Sequence, residues 1–291
     1  MPKQRFTVVA ALSALMITAG LQCPPSSAQE PSTPKTAGGE VAFYNNALAK
    51  GSAGDYRGAI EDFTRAIKVN PNCEPAYVSR GFMYFQVHDH EHALEDLQKA
   101  LELNPKEAYA FHNRALVLKA DKRYNEALDD LNKAIQFHPT DATFYSTRGL
   151  VKKDLQDYKG ALEDCDAGLA LTPKDGTIWN SRGIAHMCLK DYSKAKEDFS
   201  NAQKYDPKSV TAHTNRGYCL AKLGDYKAAI EDYDRALVLN PKDKYALQYR
   251  AAALQKIGDS EKAASDLERA KQTNEGETYV SPVLIDIPPR R

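Results

Sequence analysis

Proline recurs in this 291-residue chain at one fixed spacing, without an insertion or a deletion. The six positions are Pro71, Pro105, Pro139, Pro173, Pro207 and Pro241. A small residue keeps the same register, at Ala59, Ala93, Ala127, Ala161, Ala195, Ala229 and Ala263. A fixed period of this length is typical of a stacked array of one repeated supersecondary unit. Each unit of such an array buries its apolar face against its neighbours, so the chain needs no single globular core.

Each repeat is predicted to be a pair of antiparallel helices. In residues 210–243 the first helix ends at Gly224, and Asn240 ends the second because the residue before a proline is disfavoured in a helix. The apolar residues of the second helix form one helical stripe, made by Ala229, Ile230, Tyr233, Ala236 and Leu237. Repeated along the chain, this pattern predicts an all-α fold.

A small residue also lies in the middle of each first helix. In four repeats it is a glycine, at Gly81, Gly149, Gly183 and Gly217. Glycine inside a helix costs about 1 kcal/mol relative to alanine. We therefore expect the partner helix to approach closely at this position.

The repeats resemble the tetratricopeptide repeat. Its pattern of aromatic, small, alanine, aromatic, alanine and proline residues is present here as Trp179, Gly183, Ala195, Phe199, Ala202 and Pro207. Seven consecutive units follow it, at residues 40–73, 74–107, 108–141, 142–175, 176–209, 210–243 and 244–273. The resemblance implies a right-handed α-solenoid whose first helices line a concave groove. It also implies that protein or peptide segments bind there, with no cofactor and no catalytic activity.

The N-terminal segment has the order of a secretory signal peptide. Lys3 and Arg5 precede an apolar run at 8–21, and small residues lead up to Ala28. We expect cleavage after residue 28 and an exported, periplasmic or extracellular, protein. A second interpretation is a lipoprotein acylated at Cys23, which would act as a lipid-anchored envelope assembly factor.

Two further segments lie outside the predicted repeats. Residues 29–39 are rich in Pro, Ser, Thr and Gly and are predicted to be a flexible linker. Residues 274–291 are apolar, β-branched and interrupted by proline, which predicts an extended tail. Two roles remain open for this tail: it covers the last repeat, or it binds a partner.

Charge and metal-ligand patterns exclude several functional classes. The chain has 39 basic and 39 acidic residues, so no net field attracts nucleic acid. The apolar run at 8–21 is short for a membrane span. No C-x-x-C pair is present, and His88, His90 and His92 do not share one helix face, so no metal site is predicted. The sequence determines neither the oligomeric state nor the identity of a partner.

One Asp and one Arg recur at fixed positions of the repeat. The Asp lies on the second helix of every repeat, at Asp62, Asp96, Asp130, Asp164, Asp198, Asp232 and Asp266. The Arg lies on the first helix of repeats two to seven, at Arg80, Arg114, Arg148, Arg182, Arg216 and Arg250. Because an unpaired buried charge is costly, we expect these residues to pair as a structural ladder.

Two orders of pairing are open to this ladder. We predict pairs between neighbouring repeats, from Asp62 with Arg80 to Asp232 with Arg250. Pairing within each repeat is the alternative, and it leaves Asp62 without an arginine of the ladder.

The family register identifies the residues expected to face the groove. These are Asn45, Ser79, His112, Asn113, Thr147, Asn180, Ser181, Thr214, Asn215 and Gln248. Amides and hydroxyls of this kind can hydrogen-bond the backbone of an extended peptide. The Lys and Asn residues that grip a terminal carboxylate in some members of the family are missing from their positions. The groove tyrosines Tyr109, Tyr218 and Tyr245 leave a carbohydrate-binding array as an alternative, and no convergent catalytic cluster is present.

Overall fold

The computed structural model describes residues 39–273, and within that range it contains fourteen α-helices and no strand. The predicted signal peptide, Cys23, the tail 274–291 and all of the predicted linker except Gly39 lie outside the described residues. The helices form two compact units that divide between Pro139 and Thr140. We call them the N-terminal unit and the C-terminal unit.

The N-terminal unit contains three helix pairs. They are α1 (Gly39–Ser52) with α2 (Tyr56–Val69), α3 (Glu74–Gln86) with α4 (His90–Leu103), and α5 (Ala108–Ala120) with α6 (Tyr124–Phe137). The two helices of each pair pack on each other, and the second helix of a pair also packs on the first helix of the next pair in the unit.

The C-terminal unit contains four helix pairs. They are α7 (Ala142–Asp154) with α8 (Tyr158–Leu171), α9 (Gly176–Cys188) with α10 (Tyr192–Tyr205), α11 (Val210–Lys222) with α12 (Tyr226–Leu239), and α13 (Lys244–Lys256) with α14 (Ser260–Lys271). Consecutive first helices also contact each other, as α9 does with α11 and α11 with α13. The predicted all-α repeat array is therefore confirmed. None of the described helices is long and apolar enough to cross a membrane.

The turn inside each repeat has one residue in the left-handed region. Glycine occupies this position at Gly54, Gly224 and Gly258, whereas His88, Lys122, Gln156 and Lys190 adopt φ values of 61–64° there. An aspartate usually follows and caps the second helix, as Asp225 does by accepting a hydrogen bond from the Ala228 N–H at 3.1 Å. The cap satisfies a backbone donor that has no partner inside the helix.

The small residues of the first helices allow the close approach expected from the sequence. A Cβ atom added at Gly217 would lie 2.7 Å from the Tyr233 ring, and one at Gly183 would lie 2.7 Å from the Phe199 ring. Both rings are fully buried. The glycine therefore makes room for a large aromatic side chain on the facing helix.

The last helix shows where the repeated core stops. Leu267 holds the position that the buried Phe199 and Tyr233 occupy in earlier repeats. Its side chain is 38% exposed, because no further helix pair follows within the described residues.

Candidate functional site

The recurring Arg and Asp residues form ion pairs within the helix pairs. Arg216 Nε and one terminal nitrogen donate to the two carboxylate oxygens of Asp232, both at 2.7 Å. Arg80 grips Asp96 in the same way, at 2.7 Å for both bonds. The same bidentate pairs join Arg114 to Asp130, Arg148 to Asp164, Arg182 to Asp198, and Arg250 to Asp266.

The predicted order of pairing, between neighbouring repeats, is therefore wrong. Each arginine bonds the Asp on the second helix of its own repeat, as Arg80 does with Asp96 and Arg216 with Asp232. Antiparallel packing of the two helices of a repeat places these residues opposite each other. Asp62, which has no arginine of the ladder in its repeat, pairs with Lys50 Nζ at 2.6 Å and with Arg65 at 2.8 Å.

Ladder arginines also reach back toward the preceding helix pair of their unit. The remaining guanidinium nitrogen of Arg182 donates to Asp166 Oδ1 at 2.7 Å, and that of Arg250 donates to Asp234 Oδ1 at 2.5 Å. Arg114 reaches Gln98 Oε1 at 2.7 Å. One side chain thus connects its own helix pair to the previous one, which makes the ladder a structural element.

Burial and hydrogen bonding compete in setting the pKa values of the ladder carboxyls. Burial prevails at Asp96 and Asp198, where it raises the pKa despite the hydrogen bonds from Arg80 and Arg182. At Asp232 burial also favours the neutral acid, but the nearby His213 ring, 3.8 Å away, and the hydrogen bonds from Arg216 outweigh it and lower the pKa. Asp232 is therefore held as a carboxylate.

The predicted groove residues of the N-terminal unit are placed on its first helices, α1, α3 and α5. Asn45 is exposed, whereas Ser79, His112 and Asn113 are buried. The Ser79 hydroxyl acts against the burial that raises the pKa of Tyr44, on the preceding first helix. The same position of the repeat is therefore open to solvent in the first helix pair and covered in the next two.

The C-terminal unit brings several predicted residues together. The Asn215 amide donates to Asn180 Oδ1 at 3.4 Å, which joins α11 to α9. Two others bond their own helices: Thr147 donates to the Thr143 carbonyl at 2.9 Å and Ser181 to the Thr177 carbonyl at 3.0 Å.

Three tyrosines adjoin the amides of the C-terminal unit. The rings of Tyr218 and Tyr249 are 5.3 Å apart, and those of Tyr245 and Tyr249 are 6.3 Å apart. On α11, Thr214 and Tyr218 are one helical turn apart and therefore share a helix face, as do Tyr245 and Tyr249 on α13. We call this surface the first-helix face. It consists of Asn180, Thr214, Asn215, Tyr218, Tyr245, Gln248 and Tyr249.

Two polar atoms of the first-helix face are buried without a partner. Neither Thr214 Oγ1 nor Gln248 Oε1 has a hydrogen-bond partner within residues 39–273. Thr214 as a whole is only 6% exposed. A buried polar atom without a hydrogen bond costs about 1–3 kcal/mol, so these two atoms favour a ligand that supplies the missing bonds.

Tyr249 was absent from the residues predicted to face the groove. It takes the position of the repeat that Asn215 holds one repeat earlier. The register alone could have identified it, although the residue type changes there from amide to aromatic.

Of the histidines near residue 90, His88 lies in the turn, and His90 and His92 lie at the start of α4. His88 adopts φ 63°, His90 contacts Asp121 at 2.5 Å, and His92 contacts Asp89 at 2.8 Å. In the described part of the chain, no group of three or more His, Cys, Asp or Glu side chains is arranged to hold a metal ion.

The helix pairs, their glycines and their alanines define an all-α repeat protein. Residues 176–209 and 210–243 each match a family model described as the tetratricopeptide repeat. Residues 47–182 match the model of the ETO1 C-terminal domain. The matches support the assignment of these helix pairs to the tetratricopeptide repeat family. No curated protein matches the chain.

Three solved structures with the same fold cover different shares of this chain. A tetratricopeptide repeat protein from Parabacteroides merdae is 19% identical, with a TM-score of 0.65, over 82% of this chain and 95% of that one. YrrB, described as a TPR protein with an unusual peptide-binding site, is 26% identical, with a TM-score of 0.50, over 65% and 97%. The Cut9–Hcn1 complex of the APC/C is 16% identical, with a TM-score of 0.71, over 95% and 51%. At identities this low, the Parabacteroides protein and the Cut9–Hcn1 complex support the fold alone.

Proposed function

We propose that this protein is a non-enzymatic scaffold that binds a protein or peptide segment on the first-helix face of its C-terminal unit. The observation that carries the proposal is the pair of buried, unpartnered atoms Thr214 Oγ1 and Gln248 Oε1. The tetratricopeptide fold supports it, because repeat arrays of this kind present extended surfaces to partners. The likeness to YrrB, a protein with a peptide-binding site, supports it as well.

The arrangement of the carboxylates favours binding over catalysis. The buried Asp residues of the ladder in the C-terminal unit are held by bidentate arginines, as Asp198 and Asp232 are by Arg182 and Arg216. A carboxylate that is fully engaged with an arginine is poorly suited to transfer protons to a substrate. The amides and tyrosines of the first-helix face are suited to hydrogen bonding and apolar contact.

Affinity capture of the tagged protein from extracts of its source organism tests the proposed site. The Asn180→Ala/Asn215→Ala variant removes the amide pair that joins α9 and α11. Asn201→Ala is the matched control, because the Asn201 amide on α10 donates to the Glu197 carbonyl of its own helix, at 3.3 Å. A partner lost with the double variant and kept with the control supports the site. A partner kept with all three proteins contradicts it.

We propose further that residues 1–28 direct export and are removed. The basic start at Lys3 and Arg5 and the apolar run at 8–21 support this proposal. Mass spectrometry of the protein isolated from its source tests it. A chain that begins at Gln29 supports cleavage by signal peptidase, an acylated Cys23 at the N-terminus supports the lipoprotein alternative, and a chain that retains Lys3 contradicts both.

A further inference from the structure

The charge of the first-helix face restricts the kind of segment that fits it. Helices α9, α11 and α13 contain no Asp or Glu, whereas α10, α12 and α14 contain at least two each. The acids in the loops before α9 and α13 are engaged as caps: Asp175 accepts from Thr177 N–H and Asp243 from Ala246 N–H. Acidic groups are therefore concentrated on the opposite side of each helix pair.

Two lysines lie next to the tyrosines. Lys222 Nζ lies 5.2 Å from the centre of the Tyr218 ring, and Lys256 occupies the same position one repeat later. Both side chains are exposed, and neither forms a salt bridge within residues 39–273. Asp225 and Asp259, three residues after the two lysines, are engaged as caps of α12 and α14, so both ammonium groups are left without an ion pair within the described residues.

An anion alone cannot supply the hydrogen bond that Gln248 Oε1 lacks. Gln248 Oε1 can only accept a hydrogen bond, so its missing partner must be an N–H or O–H donor. A phosphate or a bare polyanion supplies acceptors for the lysines but no donor for Gln248. A peptide with acidic side chains supplies both, since its backbone carries N–H groups.

The tyrosines and the lysine spacing point to the conformation of that peptide. Proline-rich segments in the polyproline II conformation dock in grooves lined by aromatic rings. The half-buried rings of Tyr245 and Tyr249 can play this part here, whereas Tyr218 is only 9% exposed and packs behind Tyr249. Helices in contact have axes about 8–10 Å apart, so we expect equivalent positions of α11 and α13, such as those of Lys222 and Lys256, to be separated by a similar step. Polyproline II brings every third residue to the same face after about 9 Å, which matches that step.

We propose that the first-helix face binds an acidic, proline-containing peptide in the polyproline II conformation, with a carboxylate on every third residue. The carboxylates contact Lys222 and Lys256, and the proline rings pack on Tyr245 and Tyr249. The half-buried Gln248 side chain rotates toward the peptide, so that a backbone N–H donates to its Oε1. This inference rests on the proposed function, because it names the partner class of the same surface.

Fluorescence anisotropy of the full chain with labelled peptides tests the proposal. The probe is four repeats of Glu-Pro-Pro, and the neutral comparison is four repeats of Gln-Pro-Pro. We expect the acidic probe to bind about tenfold more tightly, since two exposed ion pairs together contribute about one power of ten. Added salt should reduce this difference.

Three variants test whether the peptide binds on the first-helix face. Lys222→Gln/Lys256→Gln should abolish the preference for the acidic probe. Lys227→Gln/Lys262→Gln, on α12 and α14, makes the same charge change on the second helices and should keep it. Gln248→Met, which keeps the size of the side chain and removes the acceptor, should weaken both probes.

The outcomes separate this inference from the proposed function. Equal binding of the two probes, no binding of either, or an unchanged preference in the Lys222/Lys256 variant overturns the inference. Displacement of the acidic probe by cellohexaose also overturns it, in favour of a carbohydrate. If the inference fails while capture of a partner still depends on Asn180 and Asn215, the proposed function stands.

Discussion

Between the helices of repeats five to seven the same contacts recur, whereas the first-helix face changes from repeat to repeat. Arg182, Arg216 and Arg250 each grip one buried Asp at 2.6–2.7 Å. On the first-helix face a single position is Asn180, then Thr214, then Gln248. Contacts that build a repeat must be repeated in every copy, because each copy has the same packing problem. Residues that vary at one position are free of that requirement and available for recognition.

The largest change in the free energy of unfolding is expected when one arginine of the ladder is removed. We expect Arg216→Ala to lower the free energy of unfolding by about 3 kcal/mol, because it leaves the Asp232 carboxylate buried without its bidentate partner. Denaturant unfolding measures the change. Arg235→Ala is the control: Arg235 is exposed and 3.8 Å from the same carboxylate, and its loss should cost less than about 0.5 kcal/mol. Equal effects of the two variants would show that the ladder is a surface feature.

The sequence predicted the members of the ladder but not the order in which they pair. Arg80 lies nearly as far along the chain from Asp62 as from Asp96, and a repeated pattern contains no information that separates these two partners. Only the packing of α4 on α3 decides between them. By contrast, the helix pairs were predictable, because proline, glycine and the apolar stripe each act on the local backbone.

The burial of the predicted groove residues could not be predicted from the sequence, for a related reason. Ser79, His112 and Asn113 belong to the register of groove residues, but the structure buries them. The repeat register gives the direction of a side chain from its helix and gives no information on what covers it. The unpartnered state of Thr214 Oγ1 likewise depends on distances to neighbouring atoms and has no signal in the sequence.

A smaller loss in the free energy of unfolding is expected where the first helix of a repeat packs closely on the second. Gly217→Ala places a Cβ atom 2.7 Å from the buried Tyr233 ring, so it should lower the free energy of unfolding by about 2 kcal/mol through overpacking. At Gly149 the nearest atom is the Ala161 carbonyl oxygen at 3.2 Å. There the gain in helix propensity of about 1 kcal/mol should offset the contact. Thermal unfolding of both variants checks the contrast, and a stable Gly217→Ala protein would contradict the packing argument.

Substitutions in the turn between the two helices of a repeat should change the free energy of unfolding by less. Gly224 has φ 89°, so Gly224→Ala should cost about 1 kcal/mol. Lys190 has φ 63° at the same position one repeat earlier, and Lys190→Gly should be neutral or stabilising by about 0.5 kcal/mol. Opposite signs in the two unfolding experiments are expected. The same sign would mean that the two turns do not share one backbone conformation.

The smallest effect is expected on the first-helix face, and it has the opposite sign. Thr214→Val removes a buried hydroxyl that has no partner within the described residues, so the free energy of unfolding should rise by up to about 1 kcal/mol. Thr147→Val removes a hydroxyl that donates to the Thr143 carbonyl at 2.9 Å, and it should lower the free energy of unfolding by about 0.5–1 kcal/mol. Denaturant unfolding of the two variants compares them directly. If Thr214→Val also weakens capture of a partner, the hydroxyl acts in binding at the expense of stability; a destabilised Thr214→Val protein would instead place Thr214 among the residues that build the repeat.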